Sequence, residues 1–162
     1  MRQQGDIYLF QTVDDGDITI TDGLVEMTED LRTAAYLSIF GGNTEDDRRP
    51  NNKLTWWGNL LEVDPDRKYG SEFQNLTQSI PLISSNLPLI EASIERDLFW
   101  FITAGIASET KVTASIPALN TLGIHILIAA DGEEQNFNFT ENYQGFKIKK
   151  NKKEKLQNTF TS

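Results

Sequence analysis

The chemistry-bearing side chains of this sequence are mostly carboxylates: 24 Asp and Glu stand against 15 Lys and Arg, one histidine and no cysteine. Without cysteine there is no thiol nucleophile, no thiolate zinc site and no disulfide. The one histidine, His125, lies in the run Leu122-Gly123-Ile124-His125-Ile126. A lone imidazole without further ligands or an oriented Ser and Asp makes neither a metal site nor a triad. An outward-facing or core-satisfied strand residue accounts for it. Glu26, Glu29, Glu45, Asp46 and Asp47 could furnish the acid and base of a glycosidase, which needs two carboxyls about 5–10 Å apart. Nothing in their spacing fixes such a pair. Asp14-Asp15-Gly16-Asp17 lacks the full calcium loop with its terminal Glu and reads as a turn. Gly-rich phosphate loops and Gly-x-Ser-x-Gly are absent, so the expectation is a protein that is not an enzyme and carries no cofactor and no metal.

Other residues suit recognition better than catalysis. Glu45-Asp46-Asp47-Arg48-Arg49-Pro50 is a mixed-charge knuckle whose guanidinium groups can grip carboxylates bidentately; a solvated charged loop is the plainer alternative. Trp56-Trp57-Gly58 puts two large aromatics into a polar stretch, where they pin the loop to the body or stack on sugar rings. Lys147 to Lys155 holds six lysines and one glutamate, a local +5 in a chain of net −9. That tail, with Lys149, Lys150, Lys152 and Lys153, is either solvated or held by an acidic surface. The net negative charge argues against nucleic acid as partner.

The elements that must position these groups follow from periodicity. Residues 6–12 and 17–22 read as short strands, the second alternating Ile18 and Ile20 with Thr, joined into a hairpin by Asp15-Gly16 and closed by Asp22-Gly23. A helix is expected from an N-cap at Thr28, with Leu31, Ala34, Ala35, Ser38 and Ile39 on one face and a stop at Gly41-Gly42. Residues 43–70 read as a long surface loop, followed by a short helix over 71–78. The strongest helix, capped by Asn86 with Pro88 in its first turn, carries Leu87, Ile90, Ile94, Leu98 and Ile102 to an end near 105–108. Strands over 111–116, 122–129 and 135–140 complete the chain, with Asp131-Gly132 turning between the last two and Phe137 and Phe139 on one face.

At 162 residues the chain suits one domain. The reading is an α+β fold: a mainly antiparallel sheet against two main helices, an N-terminal β-hairpin and a basic tail. The domain covers 1–146, with 43–70 as its interaction loop, and the tail covers 147–162. No apolar run approaches a membrane helix and no signal peptide opens the chain, so no membrane partner is expected and the protein reads as cytoplasmic when made.

Taken in order, Asp6-Ile7, Gly16-Asp17, Asp22-Gly23, the helix Leu31-Arg32-Thr33-Ala34-Ala35-Tyr36-Leu37-Ser38-Ile39-Phe40, the Arg-bearing acidic loop, Trp56-Trp57-Gly58 and Gly70-Ser71 form a recognisable pattern. It resembles the Mu-like phage and prophage baseplate-wedge family, which is similar to the sheath-initiator wedge proteins of contractile tails and type VI secretion baseplates. The resemblance implies a structural protein of the virion tail baseplate, present in six copies. It also implies that the protein binds wedge proteins, hub or spike proteins and sheath subunits, partly by strand addition. Under that reading the partner-facing residues are Asp47, Arg48, Arg49, Pro50, Trp56, Trp57, Gly58, Phe137, Phe139 and the four tail lysines. A tail-borne, lysozyme-like glycosidase and a carbohydrate-binding module are the alternatives.

Overall fold

The computed structural model describes residues 5–12, 16–42 and 57–143. It is an α+β arrangement in which a three-stranded antiparallel sheet packs against helices, preceded by a small β-unit.

The sheet is the most regular part. β-Branched and aliphatic residues recur with period two, and two-residue turns reverse the chain. In order of introduction, the N-terminal strands are β1 (Asp6–Ile7), β2 (Leu9–Gln11), β3 (Gly16–Ile18), β4 (Ile20–Thr21), β5 (Leu24–Val25) and β6 (Met27–Thr28). The main sheet is β7 (Glu109–Ala118), β8 (Thr121–Ala130) and β9 (Glu133–Asn142), in that spatial order. Asp131 and Gly132 both have positive φ (52° and 78°) between the paired residues Ala130 and Glu133, the type I′ geometry that Asp-Gly adopts readily. β8 lies centrally, with Leu122, Ile124, Ile126 and Ile128 fully buried. Pro117, which cannot donate a ladder hydrogen bond, sits where edge strand β7 slips register between Ser115 and Ala118.

The helices cover the buried face of this sheet. They are α1 (Arg32–Phe40), α2 (Glu72–Ser79), α3 (Leu87–Leu98) and α4 (Trp100–Thr103). Ile90, Ile94 and Leu98 follow the three–four spacing of a helix face and are fully buried in the core. Over β9, the rings of Tyr36 and Phe40 on α1 meet Phe139 edge-on, with centroids 5.8 and 6.1 Å away. The short helix expected after Gly70 is present as α2, and Pro88 does fall in the first turn of α3.

Several boundaries differ from the sequence reading. Thr28 is not a helix cap: it pairs with Asp6 in the β-unit, and α1 begins only at Arg32. The N-cap position is Leu31, which has no side-chain cap; its N–H donates to Gln135 Oε1 at 2.9 Å, and Asp30 just before it accepts from the amide of Arg32 at 3.1 Å. The expected long helix ending near 105–108 breaks at Phe99, whose amide donates to Arg96 O, three residues back. Gly105, at φ +72°, then closes α4. The described part of the expected loop, 57–70, contains two 3₁₀ turns, Trp57–Leu60 and Pro65–Arg67. Finally, the expected N-terminal hairpin gains a third strand from 24–28.

Candidate interaction surfaces

The β-unit is small because each strand changes partner midway. Asp6 and Ile7 pair with Thr28 and Met27, Leu9 to Gln11 pair with Ile18 to Gly16, and Ile20 and Thr21 pair with Val25 and Leu24. Two further main-chain bonds, Tyr8 N–H to Glu26 O and Glu26 N–H to Thr19 O, stitch the three segments together. The Asp22-Gly23 turn has the same positive φ pair, 52° and 78°, as Asp131-Gly132.

Register decides what this unit presents. The cross-strand partners Ile7 and Met27, Leu9 and Ile18, and Ile20 and Val25 share a face, and period two aligns the three pairs on one side. Only Leu9 of these packs against the main core. Ile20 is 62% exposed and Met27 50%, and Ile7, Ile18 and Val25 are also exposed. The face is therefore aliphatic and open to water, on strands otherwise rich in carboxylates. A contiguous apolar face of this kind marks an interaction site far more often than scattered exposed residues do. The Ile–Thr alternation at 17–22 is the pattern of a half-buried strand, yet the described residues supply nothing to cover it.

Two side chains fasten this unit to the body. Thr33 of α1 donates its hydroxyl to Ile7 O at 2.6 Å and accepts from Leu9 N–H at 3.2 Å. Gln11 uses its amide as a peptide group would: Oε1 accepts from Thr140 N–H at 2.9 Å and Nε2 donates to Thr140 O. Thr140 lies on β9, an edge of the sheet. Since its main-chain groups point outward, alternation turns those of Asn138 and Asn136 outward too. Among the described residues these outward groups have no main-chain partner, which leaves a stretch of edge able to accept another strand.

A cleft of about 620 Å³ lies between α1, the 67–70 segment and the α3–α4 turn. Its lining includes Ser38, Tyr69, Arg96, Asp97 and Trp100, and Arg96 and Asp97 tie α3 to the start of α2. Asp97 accepts from the amides of Glu72 at 2.7 Å and Phe73 at 3.1 Å and from the Ser71 hydroxyl at 2.9 Å. With Ser71 Oγ accepting from Gln74 N–H, the first-turn donors of α2 at residues 72–74 all have partners. Burial pushes the Asp97 carboxyl up from 3.8 to about 6, outweighing those three hydrogen bonds. Arg96 pairs with Glu72 and Arg67 with Glu62. Trp100 Nε1–H donates to Ser38 Oγ at 2.8 Å, and its ring meets Tyr69 edge-on. Burial, and secondarily the charge of Asp6, push the Tyr69 hydroxyl up.

Of the residues expected to face partners, Asp47, Arg48, Arg49, Pro50, Trp56, Lys149, Lys150, Lys152 and Lys153 lie outside the described residues. Trp57 and Gly58 open the first 3₁₀ turn. Asn59 follows and is buried, bracketing Tyr69 by donating to its carbonyl at 2.8 Å and accepting from its amide at 2.9 Å. Phe137 and Phe139 are corrected. They are 2% and 4% exposed and belong to the core, beneath Arg32 and the α1 aromatics, so β9 can offer a partner only its main-chain edge and polar face. His125 stands on that polar face, its Nδ1 2.8 Å from Asn138 Oδ1. Asp97, Asn59 and Gln11 escaped the sequence reading, since each acts on residues distant in the chain or within a loop.

No group of acids and histidines among the described residues is arranged to hold a metal ion, and no helix there is long and apolar enough to cross a membrane. No curated protein matches the chain. The family model of Phage protein GP46 matches residues 31–135, from the residue before α1 into β9. That span holds all four helices and most of the sheet, and it leaves the aliphatic β-unit outside. By this match, which covers well over half of its length, the chain belongs to the Phage protein GP46 family.

Proposed function

We propose that this phage protein is a structural component of a contractile tail baseplate: an inner wedge protein that links hub and wedge to the first sheath ring and works by being bound. The single observation that carries the reading is the open aliphatic face of the β-unit, anchored to the body by Thr33 and Gln11. A protein working alone gains nothing from leaving Ile7, Ile18, Ile20, Val25 and Met27 in water; burial against a partner recovers roughly 1.5–3 kcal/mol per large side chain. Membership of a phage family and the motif order around Thr33-Ala34 and Trp56-Trp57-Gly58 support the baseplate context. Wedge proteins, hub or spike proteins and sheath subunits are the partners, met in six copies. The Arg48-Arg49 loop and the β9 edge serve as further contacts, so that repeated weak interactions add through avidity.

The test is co-expression of the chain with the other tail proteins of the same phage, followed by isolation of assembled particles. Incorporation at the baseplate is expected, and the double substitution Ile20→Glu with Met27→Glu should abolish it while the isolated chain keeps its native circular dichroism. Particles that assemble in full without this chain, or that incorporate the double variant normally, would refute the reading.

A further inference from the structure

We propose that the cleft between α1, the 67–70 segment and the α3–α4 turn is a second recognition site, one that takes a polypeptide segment bearing a carboxylate with an apolar residue beside it. The inference stands without the baseplate reading, because it concerns only what this cleft can hold.

Charge is the first observation. Among the described residues the lysines and arginines are Arg32, Arg67, Lys68, Arg96 and Lys111, in a chain of net −9. Arg67, Lys68 and Arg96 all line this one cleft, against a single lining carboxylate, Asp97. Both oxygens of Asp97 accept from donors at residues 71–73, so that charge is committed to the start of α2. The cations are less occupied. Arg96 meets Glu72 through Nε, which leaves its two Nη groups without a hydrogen-bond partner among the described residues. Arg67 and Glu62 stand 3.7 Å apart, beyond hydrogen-bond distance, an exposed pairing worth little to the fold. Lys68 forms no ion pair with a described residue. Cations gathered in this way repel one another, and an incoming carboxylate relieves that repulsion while accepting charge-assisted hydrogen bonds.

The wall of the cleft is the second observation. Trp100 lines it with its indole already fixed: Nε1–H donates to Ser38 Oγ, the ring stacks on Phe101 with centroids 4.2 Å apart, and Tyr69 meets it edge-on. An aromatic held in place receives an apolar neighbour of the acid at little ordering cost. The volume of about 620 Å³ falls within the roughly 300–1,000 Å³ of small-ligand pockets.

The third observation decides between carboxylate and phosphate. Phosphate sites at helix starts use free main-chain N–H groups. Beside this cleft the amides of Glu72, Phe73 and Gln74 are all taken by Asp97 and Ser71. Recognition is left to side-chain cations, and the planar guanidinium fork matches a carboxylate.

The probe is the blocked tripeptide Ac-Glu-Phe-Glu-NH2, titrated into the intact isotope-enriched chain and followed by amide resonances. Shifts are expected at the Trp100 indole N–H and at the main-chain amides of Gly70 and Ala104, which also line the cleft. The neutral counterpart Ac-Gln-Phe-Gln-NH2 should bind about tenfold more weakly. Lys68→Gln, at an exposed side chain, should weaken the acidic peptide by about fivefold. Lys111→Gln removes the same charge from β7, outside the cleft, and should change binding by less than roughly twofold. Absence of shifts at these sites, shifts centred elsewhere, equal binding of the two peptides, or equal weakening by the two lysine variants each overturns the proposal. So does tighter binding of inorganic phosphate or AMP than of the acidic peptide, which would assign the cleft to a phosphate ligand.

Discussion

Asp97 is a carboxylate spent on architecture. Its two oxygens hold the first turn of α2 and the hydroxyl of Ser71, and the cost is a buried charge. Because its pKa rises from 3.8 to about 6 on folding, the folded state binds the proton more tightly than the unfolded one. This contribution is therefore greatest below about pH 4 and is lost as pH rises toward 6. The shift corresponds to about 2–3 kcal/mol. Asp97→Ala, which removes three hydrogen bonds, is expected to cost about 2 kcal/mol at neutral pH. Its deficit relative to the parent should widen by about 2 kcal/mol between pH 6 and pH 4. Denaturant titrations of both proteins across that range check it, and the upward-shifted Glu141, common to both, cancels. A deficit that is flat or narrows on acidification would dispose of the argument.

Elements here are joined by side chains that imitate backbone. Gln11 fills one peptide position on the edge of β9, and Asn59 does the same for Tyr69. Replacing Gln11 by Ala leaves the Thr140 amide open to water, so its hydrogen exchange should accelerate by about tenfold, an energy of about 1.4 kcal/mol. Exchange at Ile126 in central β8 should stay unchanged; equal acceleration at both would mean the clamp is a global brace. Turn chemistry is the second element-scale device. Gly132 sits at φ +78° with open space where a Cβ would go, so Gly132→Ala is limited to backbone strain and should cost about 1 kcal/mol. Thermal unfolding measures it, and a much larger loss would imply a packing role at the turn. Both Asp-Gly turns were legible in the sequence, as were the strand alternations and the Pro88 helix start. The two amide clamps were not, because each joins residues distant in the chain or inside a loop, with no periodic signature.

For the molecule as a whole, the core and the exposed β-unit are nearly separable. Among the described residues, every fully buried apolar residue lies between Ala35 and Tyr143, and of the unit's apolar side chains only Leu9 packs on the core. A chain starting at Glu29 should therefore still unfold cooperatively, with a loss of roughly 3–5 kcal/mol from Leu9 packing and the bonds of Thr33 and Gln11. Retained near-ultraviolet circular dichroism and a single unfolding transition are the expected result. Loss of fixed tertiary signals would show that the unit is integral to the core.

The amino-acid sequence by itself determined the α+β class, the central strand at 122–129, the faces of the two main helices and the strong charge difference between the acidic body and the basic tail. Those are properties of period, turn chemistry and composition, each readable within a few residues. Tertiary structure alone decided that Phe137 and Phe139 are core while Ile20 and Met27 are surface. All four alternate with polar neighbours in the same way, and alternation states only that a strand has two faces. Which face is buried depends on what lies opposite: α1 stands over Phe139, and no described residue stands over Ile20.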